Sequence, residues 1–341
     1  MIRDVLEPLL AGRDLPAETT EACFTALMAG EWSEPEQAAF LVALRAKGET
    51  PGEVAAAARV LRSFAIAVAT SRTPLVDTCG TGGDGAHTLN ISTGAAFVVA
   101  ACGVAVAKHG NRSVSSRCGS ADVLEALGMP LDLEPERLGA LLDEWGFAFL
   151  FAPRLHPAMR AVMPVRRALG VRTVFNLLGP LANPAAVRRQ VVGVYGRAML
   201  ELVAGALAEL GAERAWVVHG DDGLDELSVC APTRVVEVRD GRVAGELMVE
   251  PERLGLRCAS PAELAGGDAA ENAARLRAIL AGEERSAAAD AVALNAAAAL
   301  LVAGAAADLA DGLERCRASL ASGAPAEKLE AVTRAARAAV R

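Results

Sequence analysis

Apolar positions recur with helical spacing along the N-terminal part of the chain. The pattern holds from Ile2 to Val68 and is interrupted only by short polar breaks. Two capping boxes, Ser33 with Glu36 and Thr50 with Glu53, open apolar segments and mark helix starts. The pattern therefore predicts about four short helices and no strand in this part of the chain.

After a linker-like run at 71–74, the pattern changes to short β-prone runs that alternate with helical ones. The predicted strands begin with the apolar pair Leu75-Val76 and continue at Val104–Ala107, Phe147–Phe151, Gln190–Tyr195 and Ala215–His219. A hairpin is expected near the end of this series, with Asp240-Gly241 as its turn. Such alternation indicates a mostly parallel sheet covered by helices.

Two further segments depart from the alternation. Residues 153–184 predict a helix that carries Arg160, Arg166 and Arg167, followed by Gly-Pro and Asn-Pro turns typical of a hinge. Residues 261–341 are rich in alanine and predict helices, including a buried one at Ala287–Ala303.

These patterns together predict an α/β fold with a small N-terminal all-helical domain and a larger domain built on a mostly parallel sheet. The predicted boundaries are 1–72, joined in space by about 166–188, and 73–341. At 341 residues the chain is long enough for two such domains.

Composition excludes several classes of protein. The hydrophobic content of 52% comes largely from alanine, and the longest uncharged apolar run, Ala95–Ala107, is shorter than the ~20 residues that cross a bilayer. With seven scattered cysteines and no signal-peptide pattern, we expect a reduced, cytoplasmic protein without membrane contact. A net charge of −8, a pI near 5.2 and 4% aromatic residues argue against a nucleic-acid partner.

Two polar loops carry the candidate chemistry. The glycine-rich loop Gly80–Gly85 follows the first predicted strand and leads through 90–93 into a helix expected to start near Thr93. Glycines and a helix N-terminus gather backbone N–H donors around a phosphate. The second loop, Lys108–Ser116, adds cations and hydroxyl groups. A structural turn is the alternative for the first loop alone, but together the two loops predict a site for one polyanion.

Acidic and basic residues elsewhere extend this prediction. Asp225 and Glu226 follow a predicted strand, and adjacent carboxylates suit Mg²⁺ that also binds substrate phosphates, although a solvated acidic loop is the alternative. Arg166 is suited to clamp a substrate carboxylate, with a surface position as its alternative. His87, His156 and His219 have no metal-ligand spacing and are expected to be structural.

The motifs resemble those of a known family. They are GTGGDG at 80–85, N-x-S-T at 90–93, KHGNRSVSS at 108–116, GSADVLEALG at 119–128 and GLDE at 223–226. Together they are similar to the anthranilate phosphoribosyltransferases of tryptophan biosynthesis, over the whole chain. The family resembles class II nucleoside phosphorylases in fold and is usually homodimeric through its helical part. His87 departs from the pattern, because asparagine is frequent there.

The resemblance implies transfer of a 5-phosphoribosyl group from phosphoribosyl pyrophosphate to the amino group of anthranilate. By matching positions, the phosphoribosyl pyrophosphate is expected to contact Gly80, Gly83, Asp84, Thr88, Asn90, Ser92, Thr93, Lys108, Asn111, Ser116 and Ser120. Anthranilate is expected to contact Gly80, Asn111 and Arg166. Two Mg²⁺ ions are implied, with Ser92, Asp225 and Glu226 as ligands. Association with an anthranilate synthase is left open.

Catalytic roles are implied for Lys108, His109, Asp225 and Glu226, with His109 as the first residue to test as a general base. Two other activities share parts of the pattern. A pyrimidine nucleoside phosphorylase would use inorganic phosphate on a nucleoside, and a non-enzymatic nucleic-acid-binding paralogue would need the basic surface that the low pI opposes.

Overall fold

The computed structural model of the chain describes residues 2–113 and 117–338. The helices before the first strand are α1 (Ile2–Leu10), α2 (Ala17–Met28), α3 (Glu34–Lys47) and α4 (Pro51–Ser63). The later helices are α5 (Ile91–Ala101), α6 (Ser120–Ala126), α7 (Pro135–Trp145), α8 (Ala152–Leu155), α9 (Met163–Leu169), α10 (Phe175–Leu181), α11 (Met199–Glu209), α12 (Pro261–Leu264), α13 (Ala269–Leu280), α14 (Ala287–Ala303), α15 (Leu309–Ser322) and α16 (Ala324–Ala338).

The strands are β1 (Leu75–Gly80), β2 (Ala105–Gly110), β3 (Phe147–Phe151), β4 (Arg189–Gly193), β5 (Arg214–Gly220), β6 (Thr233–Arg239) and β7 (Arg242–Val249). They form one sheet in the order β3-β2-β1-β4-β5-β6-β7, in which β6 and β7 are antiparallel and the neighbours from β3 to β5 are parallel. The predicted α/β architecture is confirmed. Residues 2–74 contain four helices and no strand, also as predicted.

The chain enters the sheet in the middle, which fixes where a ligand can bind. After β1 the chain builds β2 and β3 on one side, and it then crosses to place β4 on the other side of β1. Open parallel sheets bind ligands outside the carboxyl ends of their strands at such a switch point. Gly80 at the end of β1 and Gly193 at the end of β4 lie opposite each other in register at this edge.

Two strands extend further than the sequence predicts. β1 continues past Val76 to Gly80, and β2 runs through Lys108 and His109, which were predicted to lie in the loop after the strand. The apolar pattern ends at the first charged residue, whereas the strand continues because the structure buries these polar side chains and satisfies them from neighbouring elements. Lys108 and His109 are only 1% and 5% exposed.

The predicted helix of residues 153–184 is wrong in detail. Arg160 lies in a separate 3₁₀ turn, Pro157–Ala161, while Arg166 and Arg167 lie on α9. Prolines start new helical segments here, because proline suits the first turn of a helix and cannot continue an existing one. The Gly-Pro sequence that predicted a turn lies within the short helix α10 instead.

The core has two large apolar clusters on opposite faces of the sheet. One cluster joins α1–α4, residues 162–182 and α11 to the face that presents Val192 and Val217. The other contains α5 and α14 against the face that presents Val191 and Val218. The predicted buried helix at Ala287–Ala303 is confirmed as α14, where alanines permit close packing on α5. Among the described residues, no helix has the length and apolar character needed to span a membrane.

Candidate active site

The glycine-rich loop connects the end of β1 to the start of α5. Gly82, Gly83 and Gly85 have positive φ angles of 65°, 80° and 76°, which side chains with a Cβ rarely adopt. The loop is tied to the neighbouring strand because Thr81 N donates to Gly193 O at 2.8 Å. Its backbone N–H groups thus lie at the carboxyl edge of the sheet, above the N-terminus of α5.

Asp225 and Glu226 lie in the loop after β5 and reach this edge. Gly82 N donates to Asp225 Oδ2 at 2.8 Å, and Ser92 N, in the first turn of α5, donates to Glu226 Oε1 at 3.2 Å. The approach of Asp225 depends on glycines in the facing strands. A Cβ on Gly80 would lie 2.5 Å from Asp225 Oδ2, and one on Gly193 would lie 1.5 Å from Asp225 O.

The electrostatics of this acidic group favour a cation. Burial raises the pKa of Asp225 well above its usual value, and the charges of Asp84 and Glu226 raise it further. Burial also raises the pKa of Glu226 to about 7, although the nearby Lys108 opposes the shift. Buried carboxylates that repel one another are stabilised by a divalent ion.

The donor set fits magnesium better than a metal held by protein alone. Over residues 2–113 and 117–338, no three histidine, cysteine, aspartate or glutamate side chains form a group that could hold a metal ion. Mg²⁺ is usually bound by one or two carboxylates together with waters and substrate phosphates. The Ser92 hydroxyl and the carboxylates of Asp225 and Glu226 fit that pattern, and they lie beside the glycine-rich loop.

Lys108 lies beneath the acidic group. Its Nζ donates to Thr78 O and lies 3.4 Å from Ser92 Oγ, to which it also donates. Only 1% of the surface of Lys108 is exposed, so this residue does not lie in a solvated loop. Lys108 therefore directs a buried positive charge toward Ser92 and Glu226 from inside the sheet.

A second buried network lies on the other side of Lys108. Asp77 on β1 accepts from His109 N at 3.2 Å and from Asn183 Nδ2 at 2.8 Å. The same amide nitrogen of Asn183 donates to Ala107 O at 2.8 Å. Neither Asp77 nor Asn183 was predicted as a site residue; both are more than 97% buried. They fix β2 against the segment that the sequence marks as a hinge.

His109 and His156 form a buried pair with ring centroids 5.1 Å apart. His109 Nδ1 donates to Gly179 O at 3.0 Å, which leaves the lone pair on Nε2, and that atom has no hydrogen-bond partner within the described residues. Burial lowers the pKa of His109 to about 3 and that of His156 to about 4. His109 is thus a neutral and weak base, and His156 lies beside it, a proximity that the sequence did not predict.

The buried histidine pair is expected to make stability fall with decreasing pH. The unfolded chain protonates His156 near pH 6.5, whereas the folded pKa is about 4, so stability is lost between these values as pH falls. For this one residue the slope is about 1.4 kcal/mol per pH unit. In urea unfolding experiments, we expect the free energy of unfolding of the wild type to fall, relative to that of His156→Gln, as the pH is lowered from 6.5 to 4.5. Parallel stability curves for the two proteins would contradict the burial of a neutral His156.

The second polar loop presents Asn111 and Ser120 at the same edge. Asn111 is exposed, and Ser120 Oγ donates to its carbonyl oxygen at 3.2 Å. Asn90 instead uses its side chain within the protein: Nδ2 donates to Cys118 O at 3.1 Å, and Oδ1 accepts from Asn272 Nδ2 at 3.0 Å. Ser116, predicted to bind substrate, lies outside the described residues.

The remaining predicted positions differ in exposure. Thr88 is half-buried and pairs with Ala265 in an isolated bridge, whereas Thr93 is 1% exposed within α5. Asp84 is half-buried and accepts from Ala86 N at 3.1 Å. Gly83 O accepts from Arg172.

Two arginines border the site on the hinge side. Arg166 on α9 is half-buried, with its guanidinium carbon 5.2 Å from the ring centroid of Phe175, and burial lowers its pKa. In the part of the chain that the structure describes, no carboxylate forms an ion pair with Arg166. Arg172 stacks 4.1 Å above the centroid of Tyr195 while it contacts Gly83. The sequence did not single out Arg172, because nothing in its local pattern distinguishes it.

The structure thus brings most of the predicted residues to one edge of the sheet. The contacts above join Gly80, Ser92, Asp225 and Glu226, with Lys108 buried beneath them. Asp84 belongs to the same group, because its Oδ2 accepts from Asp225 N at 3.4 Å. Within residues 2–113 and 117–338, no contact joins Arg166 to this group, and Arg166 lies on α9 with the hinge segment. Whether each of these residues binds substrate stays a prediction.

Comparison with known proteins gives a consistent result. Residues 3–65 match the helical bundle domain of the glycosyl transferase family, and residues 72–326 match its a/b domain. The anthranilate phosphoribosyltransferase of Anaeromyxobacter dehalogenans (strain 2CP-C) is 54% identical over 329 residues, which cover 96% of this chain and 97% of that protein. That of Desulfatibacillum aliphaticivorans is 51% identical over 334 residues, 98% of each chain.

Solved structures agree. The crystal structure of anthranilate phosphoribosyltransferase from Thermus thermophilus superposes with a TM-score of 0.93 at 49% identity, over 98% of this chain and 99% of that one. The Saccharomyces cerevisiae enzyme in complex with phosphoribosyl pyrophosphate and Mg gives a TM-score of 0.92 at 26% identity, over 99% and 98%. The chain therefore belongs to the anthranilate phosphoribosyltransferase family.

Proposed function

We propose that this chain transfers the 5-phosphoribosyl group of phosphoribosyl pyrophosphate to the amino group of anthranilate and releases pyrophosphate. The observation that carries this proposal is the convergence of three features at the switch point of the sheet. These are the N–H groups of the loop at 80–85, the first turn of α5 and the buried carboxylates of Asp225 and Glu226. A loop of donors beside a cation site suits a substrate that carries a pyrophosphate.

The chain's own residues account for binding the donor substrate. Gly83 and its neighbours offer N–H groups without a Cβ in the way, while Asp84, Thr88 and Ser120 offer groups that suit ribose hydroxyls and phosphate oxygens. Lys108 keeps a positive charge under Ser92. Displacement at the anomeric carbon passes through an oxocarbenium-like state, so the main task is to stabilise the negative charge of the departing pyrophosphate.

Magnesium would supply part of that charge stabilisation. We propose two ions per subunit: Ser92 and Glu226 would hold one, and Asp225 and Glu226 would hold the other. The hydrogen bonds from Gly82 N and Ser92 N orient the two carboxylates before substrate arrives. A relative from Saccharomyces cerevisiae is known in complex with phosphoribosyl pyrophosphate and Mg, which supports Mg²⁺ binding.

For the acceptor, we propose that Arg166 binds the carboxylate of anthranilate and that Asn111 and Gly80 contact its ring or amino group. Arg166 is a half-buried cation that forms no ion pair with a carboxylate among the described residues, and such a guanidinium favours a bidentate anion. A relative from Saccharomyces cerevisiae is known in complex with 4-fluoroanthranilate. The amine of an aromatic acid is already neutral at pH 7, so it can attack without prior deprotonation. The proton that the nitrogen loses after the C–N bond forms is acidic enough to pass to solvent or to pyrophosphate, so the weakly basic His109 is not required as a general base.

The direct test follows the fluorescence of anthranilate when enzyme, phosphoribosyl pyrophosphate and Mg²⁺ are mixed. Loss of fluorescence that requires all three components is the expected result. Phosphate-dependent cleavage of a pyrimidine nucleoside, with no loss of anthranilate fluorescence, would instead identify a nucleoside phosphorylase. Binding of DNA or RNA at physiological salt without turnover would identify the non-enzymatic alternative.

Replacing Arg166 with alanine is expected to raise KM for anthranilate by about 30-fold or more, since a charge-assisted bidentate contact contributes about 2 kcal/mol. KM for phosphoribosyl pyrophosphate should change less than threefold. The matched control is Arg167→Ala, because Arg167 is the next residue on α9 and is exposed. Steady-state kinetics with each substrate varied in turn measure the two KM values separately. Equal effects on both KM values would indicate a structural role for Arg166.

Three further expectations complete this proposal. We propose the division into domains at 1–72 and 73–341, with about 166–188 joined to the first. The apolar cluster that α1–α4 share with residues 162–182 supports this joining, and α11 and the sheet belong to the same cluster. We propose that the chain forms a homodimer through its helical part. Light scattering would measure the molar mass of the protein in solution. A cytoplasmic location is proposed from the free cysteines at all seven positions.

A further inference from the structure

The loop between β2 and α6 is closed by contacts from the start of α6. Ala121 N and Ser120 Oγ both donate to Asn111 O, at 3.1 and 3.2 Å. Gly119 packs so closely that a Cβ there would lie 2.3 Å from Ser113 N. Asn111, which we propose to contact both substrates, is therefore placed by residues about ten positions further along the chain.

The carboxylate of Asp122 makes three further contacts that close this loop. Asp122 Oδ2 accepts from Ser113 N at 3.0 Å and from Gly119 N at 2.8 Å, while Oδ1 accepts from Arg112 Nη1 at 3.0 Å. Burial would raise the pKa of Asp122, but these hydrogen bonds outweigh it, and the pKa is lowered. A single ionised side chain thus joins three points of the loop that follows Asn111.

A neighbouring acid offers a comparison. Glu125 contacts the guanidinium of Arg112 through both oxygens, at 2.8 and 3.1 Å, but no contact joins it to the backbone of the loop among the residues that the structure describes. Its side chain is 57% exposed, whereas that of Asp122 is 23% exposed. Surface ion pairs of this kind contribute little to stability, whereas backbone N–H groups bound to a carboxylate are held strongly.

We propose that Asp122 is a positioning residue for substrate binding: it fixes the backbone on both sides of residues 114–116 so that Asn111 and Ser120 face the site together. Asp122 and Glu125 also hold the guanidinium of Arg112, but this contact is secondary to the backbone contacts of Asp122. The inference rests on the proposed function, since it assigns Asp122 to the binding of phosphoribosyl pyrophosphate. It requires no contact between Asp122 and substrate.

Three variants separate the contacts of Asp122. Asp122→Ala removes the acceptor for both N–H groups and for Arg112. Asp122→Asn keeps one oxygen for the backbone N–H groups but turns an amide donor toward Arg112. Glu125→Ala removes the second partner of Arg112 and leaves the backbone contacts of Asp122 intact.

Steady-state kinetics should rank these variants. We expect Asp122→Ala to raise KM for phosphoribosyl pyrophosphate about 30-fold with a smaller effect on kcat, since two charge-assisted hydrogen bonds are lost. Asp122→Asn should rescue most of this loss and remain within about fivefold, and Glu125→Ala within about twofold, of the wild type. Thermal unfolding of all three is measured in parallel, because a role confined to starting α6 would lower Tm without moving KM.

Two results would overturn the inference. They are a KM for Asp122→Ala within twofold of the wild type, and an effect of Glu125→Ala equal to that of Asp122→Ala. If Asp122→Ala does not fold, a KM for Asp122→Asn raised by more than fivefold overturns it, because that variant keeps an oxygen for both backbone N–H groups. A wild-type enzyme that does not consume anthranilate refutes the proposed function instead, so the two failures are distinguishable.

Discussion

Replacing Glu226 with glutamine is expected to lower kcat by about 100-fold or more and to raise the Mg²⁺ concentration needed for half-maximal activity. Glutamine keeps an oxygen that can accept from Ser92 N, but it removes the negative charge from the cation site. The cost falls mainly on the transition state, because the cation must offset charge that develops on the departing pyrophosphate. Initial rates measured over a series of Mg²⁺ concentrations give both quantities.

The pH dependence of the magnesium requirement provides a sharper readout. Without metal, the pKa of Glu226 is raised to about 7 by burial, so protons compete with Mg²⁺ below that pH. In the wild type, the Mg²⁺ concentration for half-maximal activity should rise by up to about tenfold per unit as pH falls from 7 to 6. Glutamine cannot titrate, so Glu226→Gln should show a weaker dependence, which leaves the contribution of Asp225, whose pKa is also raised by burial.

Asp221→Asn is the matched control, because Asp221 lies in the same loop but pairs with Arg234 at 3.0 Å. It should leave both kcat and the magnesium profile within about twofold of the wild type. An unchanged magnesium profile in Glu226→Gln would refute the assignment of Glu226 as a ligand.

The loops of the site could be predicted from the sequence because their chemistry is local. The composition of a run such as Gly80–Gly85 alone indicates positive φ angles and backbone N–H groups with no Cβ nearby. The alternation of short apolar runs with helices likewise predicted a parallel sheet, which places the ends of β1 and β5 at one edge. These features depend on neighbours in the sequence.

The buried polar residues could not be predicted in the same way. Asp77 and Lys108 interrupt the apolar pattern, so the pattern ended β1 and β2 too early and placed Lys108 in the loop after the strand. Their burial is compensated by Asn183, Thr78 and Ser92, which come from other elements. Only the three-dimensional structure shows such compensation, since polar groups are buried where partners exist and not where local sequence favours it.

The same limit applies to the hinge segment. Gly-Pro predicted a turn, whereas the structure has a short helix whose residues are held by distant partners: Arg62 donates to Leu181 O at 2.7 Å and Gln190 to Pro180 O at 2.9 Å. Tertiary contacts override local preference there. The contact of His109 with Gly179 O then links this segment to β2, and thus to the strand that carries Lys108.

Replacing Gly193 with alanine is expected to lower kcat/KM by about 1000-fold and to reduce the free energy of unfolding by about 1–3 kcal/mol. The new Cβ would lie 1.5 Å from Asp225 O and 2.4 Å from Asp225 C, both backbone atoms. No side-chain rotamer relieves such a clash, so the Asp225-Glu226 segment must move away from β4. The carboxylates would then lose their hydrogen bonds from Gly82 N and Ser92 N.

Gly196→Ala is the control, because Gly196 lies in the loop just after β4 and a Cβ there has no atom within 4 Å. It should retain activity within about threefold and stability within about 0.5 kcal/mol of the wild type. Chemical denaturation and steady-state kinetics on both variants measure the outcome. If Gly193→Ala kept activity within tenfold of the wild type, the acidic pair would not need its position against β4, and magnesium binding by Asp225 and Glu226 would lose its main structural support.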